Sequence, residues 1–224
     1  MERVTLPEPV HGLLEGLEHG AITNFFGEAA SGKTNLCMLA AAHCASMGGS
    51  VAYVDTEGGF SFERFGQICP DSREALKKIS LVRPQDFEAQ GRTVRALKSK
   101  QADLIVVDSV VALFRLECSP EGNYTFEAGK ELSRQLSILS NIAVERSIPV
   151  IITSHSFRRR DGPAEVIGGD VIKYWSKSLI LLEKTGRSSE RKATIVKHRW
   201  LPEEKSVKFN IVHEGIKPAG FRIF

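Results

Sequence analysis

At 224 residues, with 42% hydrophobic and 25% charged side chains, the chain is long enough for one α/β domain with a full core and short for two. No apolar run approaches a bilayer span, residues 1–9 carry charges and no apolar core, and the four cysteines (Cys37, Cys44, Cys69 and Cys118) have neither C-x-x-C nor metal-ligand spacing, which argues against a membrane span, a signal peptide and a structural zinc site and for a reduced, intracellular setting. The net charge of +3 is unevenly spread: residues 1–155 hold 15 Lys/Arg against 19 Asp/Glu and residues 156–224 hold 15 against 8, so the last third either faces a polyanion or carries a solvated basic face.

Residues 6–20 read as a short helical segment ending in Gly20. The apolar run 21–26 then predicts a strand. It leads into Gly27-Glu28-Ala29-Ala30-Ser31-Gly32-Lys33-Thr34, a G-x-x-x-x-G-K-T stretch followed by helix formers over 35–47. Strand, glycine loop and helix in that order are the context of a phosphate-binding loop. Glycines let the backbone wrap a polyphosphate, while amide N–H groups and the helix N-terminus supply a positive field. Lys33 is expected at the β- and γ-phosphates and the Thr34 hydroxyl on Mg²⁺. The sequence therefore predicts a nucleoside triphosphate site with Mg²⁺. Cys37 and Cys44, seven apart on the helix, fit a buried face.

Gly48-Gly49 stops that helix, and 51–55 (V-A-Y-V-D) predicts a strand with Thr56-Glu57-Gly58-Gly59 at its end. This puts a carboxylate at the carboxyl edge of a parallel sheet, where α/β sites form. Helical stretches follow at 61–68 and 71–78, then a strand at 79–82 and an amphipathic helix over 86–99. Residues 104–108 (L-I-V-V-D) have the Walker B form, in which Asp108 holds Mg²⁺ directly or through water. A less regular segment, 114–125, precedes a helix over 126–146 and a strand at 150–153 that leads to Ser154 and His155. The stretch 156–163 is basic and turn-rich, and Gly168-Gly169 opens a short helix expected to run through Lys177. Apolar runs at 179–183, 193–196 and 207–212 read as antiparallel strands closing the sheet.

G-E-A-A-S-G-K-T, Y-V-D-T-E-G-G-F, L-I-V-V-D-S-V-V-A-L-F-R, V-I-I-T-S-H and G-G-D-V-I-K-Y-W-S occur in order from about Gly20 onward. In these segments the chain resembles the RecA/RadA recombinase core, and within that family its archaeal paralogue branch. The resemblance implies a RecA-like P-loop NTPase fold, with a mostly parallel central sheet flanked by helices and C-terminal antiparallel strands. ATP and Mg²⁺ are the implied cofactors. By the same resemblance Glu57 orients the attacking water, Lys33 acts on the phosphates and Arg64 stacks on adenine. His155 stands where recombinases carry the Gln that senses the γ-phosphate, which makes signalling from DNA to hydrolysis doubtful. Segments 114–125 and 156–167 correspond to the two DNA loops. Arg158, Arg159 and Arg160 suit phosphate contacts, Phe157 suits base stacking, and Lys173 and Lys177 extend the basic face. Lys197 and Arg199 stand where the family reaches a neighbour's γ-phosphate, or else they contact DNA.

With only about twenty residues ahead of the core, 1–224 reads as one RecA-like ATP-binding domain without the family's N-terminal helix-hairpin-helix domain. The expected function is an ATP- and DNA-binding accessory protein of homologous recombination and repair. It would hydrolyse ATP weakly, with single-stranded or branched DNA, a RadA-type recombinase and a Holliday-junction resolvase as partners. A homo-oligomer and a cytoplasmic, nucleoid-associated location go with that reading. A filament-forming, DNA-stimulated recombinase ATPase and a KaiC-like or helicase-like ring ATPase are the alternatives.

Overall fold

In the computed structural model, which describes residues 4–117, 125–158 and 162–220, ten strands join one sheet. They are β1 (Ala21–Gly27), β2 (Val51–Asp55), β3 (Ile79–Val82), β4 (Leu104–Asp108), β5 (Pro149–Arg158), β6 (Ala164–Val166), β7 (Ser178–Lys184), β8 (Glu190–Lys197), β9 (Ser206–Val212) and β10 (Gly215–Pro218). The order is β10-β9-β8-β7-β1-β5-β4-β2-β3, with β6 paired to β5 off that path. From β7 to β3 the pairings are parallel; β7–β8, β8–β9 and β9–β10 are antiparallel. The α/β architecture is the one the sequence predicts.

Helices cover both faces. On one lie α1 (Val10–Leu14), α2 (Lys33–Ser46), α3 (Phe62–Ile68) and α4 (Ser72–Leu76); on the other lie α5 (Phe87–Ala96), α6 (Phe126–Arg146) and α7 (Gly169–Trp175). Period-2 alternation divides each central strand between two cores. Val51 and Tyr53 join the α2 core while Ala52 and Val54 join the α6 core; Leu104 and Val106 separate from Ile105 and Val107 in the same way. Such strands are apolar on both faces, which is why they read as continuous hydrophobic runs. Cys37 and Cys44 are fully buried on α2 as expected, beside alanines that let the helix sit close on the sheet. Among the described residues no helix is long and apolar enough to cross a membrane.

Several elements differ from the sequence reading, three of them near the site or the expected DNA face. The strand expected to end at Thr153 runs to Arg158, because Ser156, Phe157 and Arg158 pair with Val166, Glu165 and Ala164 of β6. Residues 156–158 and 164–166, six of the twelve in the second expected DNA loop (156–167), are therefore paired strand. The helix expected to reach Lys177 ends at Trp175, where Ser176 turns extended to feed β7, so Lys173 and Lys177 do not share a helix face. Finally, β10 was not foreseen; it pairs back across the two-residue turn His213-Glu214, with Gly215 at φ 127°.

Candidate nucleotide site

The loop between β1 and α2 is built by exclusion as much as by contact. A Cβ on Gly27 would lie 2.1 Å from the Leu182 carbonyl oxygen of β7, so no larger residue fits the strand end. Ala30 and Gly32 sit at φ 59° and 103°, and Gly32 caps α2 from the left-handed region. The first-turn amides of α2 therefore face a cleft of about 370 Å³. It is lined by residues of the loop and of the first turn of α2, by Glu57, Asp108 and His155, and by Arg191 and Ile211. Lys33 folds back across the loop. Its Nζ donates to the carbonyls of Gly27 (3.0 Å) and Glu28 (2.8 Å). Burial pulls its pKa down, opposed by the charges of Glu57 and Asp108.

Asp108 ends β4 fully inside the protein. It accepts hydrogen bonds from Thr153 Oγ1 (2.5 Å) and Tyr53 Oη (3.1 Å), and Thr34 is bonded to it as well. Burial raises its carboxyl pKa against the pull of those bonds. The two expected Mg²⁺ ligands, Thr34 and Asp108, are thus brought together. Both offer hard oxygen donors, the kind Mg²⁺ takes. Ser31 Oγ and Asn35 Nδ2 are buried in or beside the loop without a hydrogen-bond partner among the described residues. Unpartnered polar atoms, a left-handed glycine cap and a cationic Lys33 fit a polyphosphate.

Glu57 is positioned by a tied loop after β2. Asp55 accepts the backbone N–H groups of Gly59 (2.9 Å) and Phe60 (3.2 Å), and Arg83 clamps Asp55 at 3.0 Å while donating to the Phe60 carbonyl. Thr56 and Ser109 exchange hydrogen bonds of 2.7 and 2.9 Å, locking this loop to the end of β4, where the Asp108–Ser109 peptide is cis. Glu57 Oε1 then meets His155 Nε2 at 2.9 Å. A carboxylate only accepts, so Nε2 is the protonated nitrogen. The bond from His155 is the main cause holding the Glu57 carboxyl below its ordinary pKa.

The other expected residues are placed as follows. Arg64 lies outside the cleft lining, with its edges bound to Asn35 Oδ1, Gln67 and the carbonyls of Val212, His213 and Gly215. Those bonds take the rim of the guanidinium and leave its faces, the part that stacks. Arg158 Nη2 pairs with Glu183 at 2.5 Å. Arg159 and Arg160 lie outside the described residues, as do 118–124 of the first expected DNA loop. Lys173 is 3.9 Å from Asp170. Lys197 donates to the carbonyls of Lys173 and Ser176 and so caps the end of α7; Arg199 pairs at 2.6 Å with the buried Glu18. Within this chain both are engaged in cis, in contacts that spacing could not reveal. Sequence reasoning also missed Tyr53, Thr153, Arg83 and Arg191. Thr153 could have been found, since it sits just ahead of Ser154-His155; the others meet the site only through strand pairing.

Fold and site together define a RecA-type P-loop nucleotide-binding core. The Rad51 family model matches residues 8–219. "DNA repair and recombination protein RadB" of Methanococcoides burtonii is 37% identical over 216 residues, covering 94% of this chain and 95% of the relative. The protein of the same description from Thermoplasma volcanium is 37% identical, covering 96% of each. A solved structure described as the RadB recombinase superposes with a TM-score of 0.81 at 34% identity, covering 95% of this chain and 97% of that one. The chain belongs to the Rad51 family, in its RadB branch.

Proposed function

We infer that the chain is an ATP- and DNA-binding accessory protein of homologous recombination and DNA repair. In this reading it assists a RadA-type recombinase and junction processing and does not itself perform strand exchange. The RadB relatives are repair and recombination proteins by description, which supports the coarse role; the accessory role is our reading. Residues 1–224 act in it as one ATP-binding unit, with single-stranded or branched DNA as partner, in the nucleoid of the cytoplasm.

The observation that carries it is the His155–Glu57 hydrogen bond. On hydrolysis the bound ATP·Mg²⁺ supplies the electrophilic γ-phosphorus and its charge-neutralising metal. Lys33, now bonded to two loop carbonyls, would turn to phosphate oxygens, and Thr34 with Asp108 would hold the metal. Glu57 orients water by accepting its hydrogen bond. One lone pair of that carboxylate already accepts from His155, and the same bond lowers the basicity with which Glu57 can draw on water. Slow turnover follows, with nucleotide binding left intact.

The test is hydrolysis by wild type and His155→Gln at equal nucleotide occupancy. Glutamine restores the group that the recombinase resemblance assigns to this position. A rise in DNA-dependent turnover in the variant supports the reading; identical turnover in both proteins, with and without DNA, contradicts it.

A further inference from the structure

Arg191 and Ile211 line the cleft yet belong to none of the motifs discussed above. The sheet order tells what they meet. Strands β5, β4 and β2, which bring His155, Asp108 and Glu57, lie on one side of β1; β7, β8 and β9 lie on the other. The loop at the end of β1 is therefore approached from two sides. The first side carries the carboxylates and so faces metal and terminal phosphate. To the cleft lining the second contributes Arg191 and Ile211.

Arg191 is fixed in advance. Its Nε donates to the Ala30 carbonyl at 3.1 Å, and Nη1 donates to the carbonyls of Ser188 (3.0 Å) and Glu190 (2.9 Å). Nη2 makes no hydrogen bond among the described residues. A guanidinium held by three main-chain acceptors loses little freedom on meeting an anion, and its planar donors match phosphate oxygens. Ile211 reaches the loop at Gly32, where a Cβ would stand 3.2 Å from Ile211 Cδ1. One residue further along β9, Arg64 begins to bind the carbonyls of Val212, His213 and Gly215. This side of the cleft thus runs from cation to aliphatic wall to a second, planar cation.

We propose that Arg191 and Ile211 form the α-phosphate and ribose wall of the site, with Nη2 of Arg191 donating to the α-phosphate and Ile211 covering the sugar. The inference rests on the nucleotide-binding reading of the cleft. Because ADP and ATP share the α-phosphate, the contact contributes equally to both, unlike any contact to the γ-phosphate.

The test is equilibrium titration of the full chain with Mg·ADP and Mg·ATP, together with phosphorus-31 NMR of bound ADP. Arg191→Ala should weaken both nucleotides about tenfold, the worth of one charge-assisted contact. Arg191→Lys should move the α-phosphorus resonance and leave the β resonance in place, which a purely structural role in the loop would not do. If Arg191→Ala no longer melts cooperatively, the Arg191→Lys spectrum decides. Unchanged affinity for both nucleotides, a loss confined to ATP, or a shift confined to the β-phosphorus each overturns the proposal while the nucleotide reading stands. Failure of wild type to bind either nucleotide overturns both.

Discussion

Asp108 is where function works against stability. Its carboxylate is wholly buried, and three hydroxyl partners only partly offset the desolvation that raises its pKa. A raised acid pKa means stability that is full below the unfolded pKa and lost as pH climbs through the folded one. Asp108→Asn should therefore melt at a higher temperature than wild type near neutral pH, without nucleotide. The gap should shrink on acidification while Mg²⁺-dependent nucleotide binding is lost. A lower melting temperature across that range would show that the three hydroxyl bonds outweigh the buried charge. Lys33 behaves differently, since its partners are two loop carbonyls rather than a buried acid. Lys33→Ala should abolish nucleotide binding, measured by titration, and keep a cooperative thermal transition.

The elements divide by how locally they are encoded. The strands 51–55, 79–82 and 104–108 and the helix over 126–146 have the boundaries that apolar runs and caps predict, down to Thr125 accepting from the Ala128 N–H. Thr125→Ala should cost about 1 kcal/mol of stability by chemical denaturation and leave nucleotide affinity alone. The β5–β6 stem and β10 were not legible, because each depends on a partner strand rather than on its own pattern. Ser156, Phe157 and Arg158 sit among basic and turn residues, and only pairing with 164–166 makes them strand. The same holds in the site: G-x-x-x-x-G-K-T announces the loop, whereas Arg191 reaches it by the register of β8 against β7 and β9. In our reading Arg158, with Arg159 and Arg160 next to it in the sequence, contacts DNA. Replacing Arg158, Arg159 and Arg160 together with Ala should weaken DNA binding and flatten its salt dependence, each lost phosphate contact removing ~0.7–0.9 from the log–log slope. An unchanged slope would move the DNA surface away from these arginines.

Across the whole molecule, the basic C-terminal third is tied back onto the acidic remainder. Arg199 reaches Glu18 ahead of β1, and Lys184 lies 3.9 Å from Glu28 in the loop after it. Glu18 is buried while Arg199 is half exposed, so removing the arginine takes a charge partner from a buried carboxylate, with part of the penalty relieved by solvent. Arg199→Ala should lower stability on the order of 1–3 kcal/mol. If it instead leaves melting unchanged and removes hydrolysis only in an oligomer, Arg199 serves a neighbouring subunit. In our reading the site holds nucleotide and turns it over slowly, with Glu57 held by His155. Steady-state ATP hydrolysis with and without single-stranded DNA, beside ATP binding on the same protein, tests this most directly. The expected result is firm ATP binding with slow turnover that DNA raises less than about tenfold. Strong stimulation by DNA would contradict it and make the chain a recombinase in its own right.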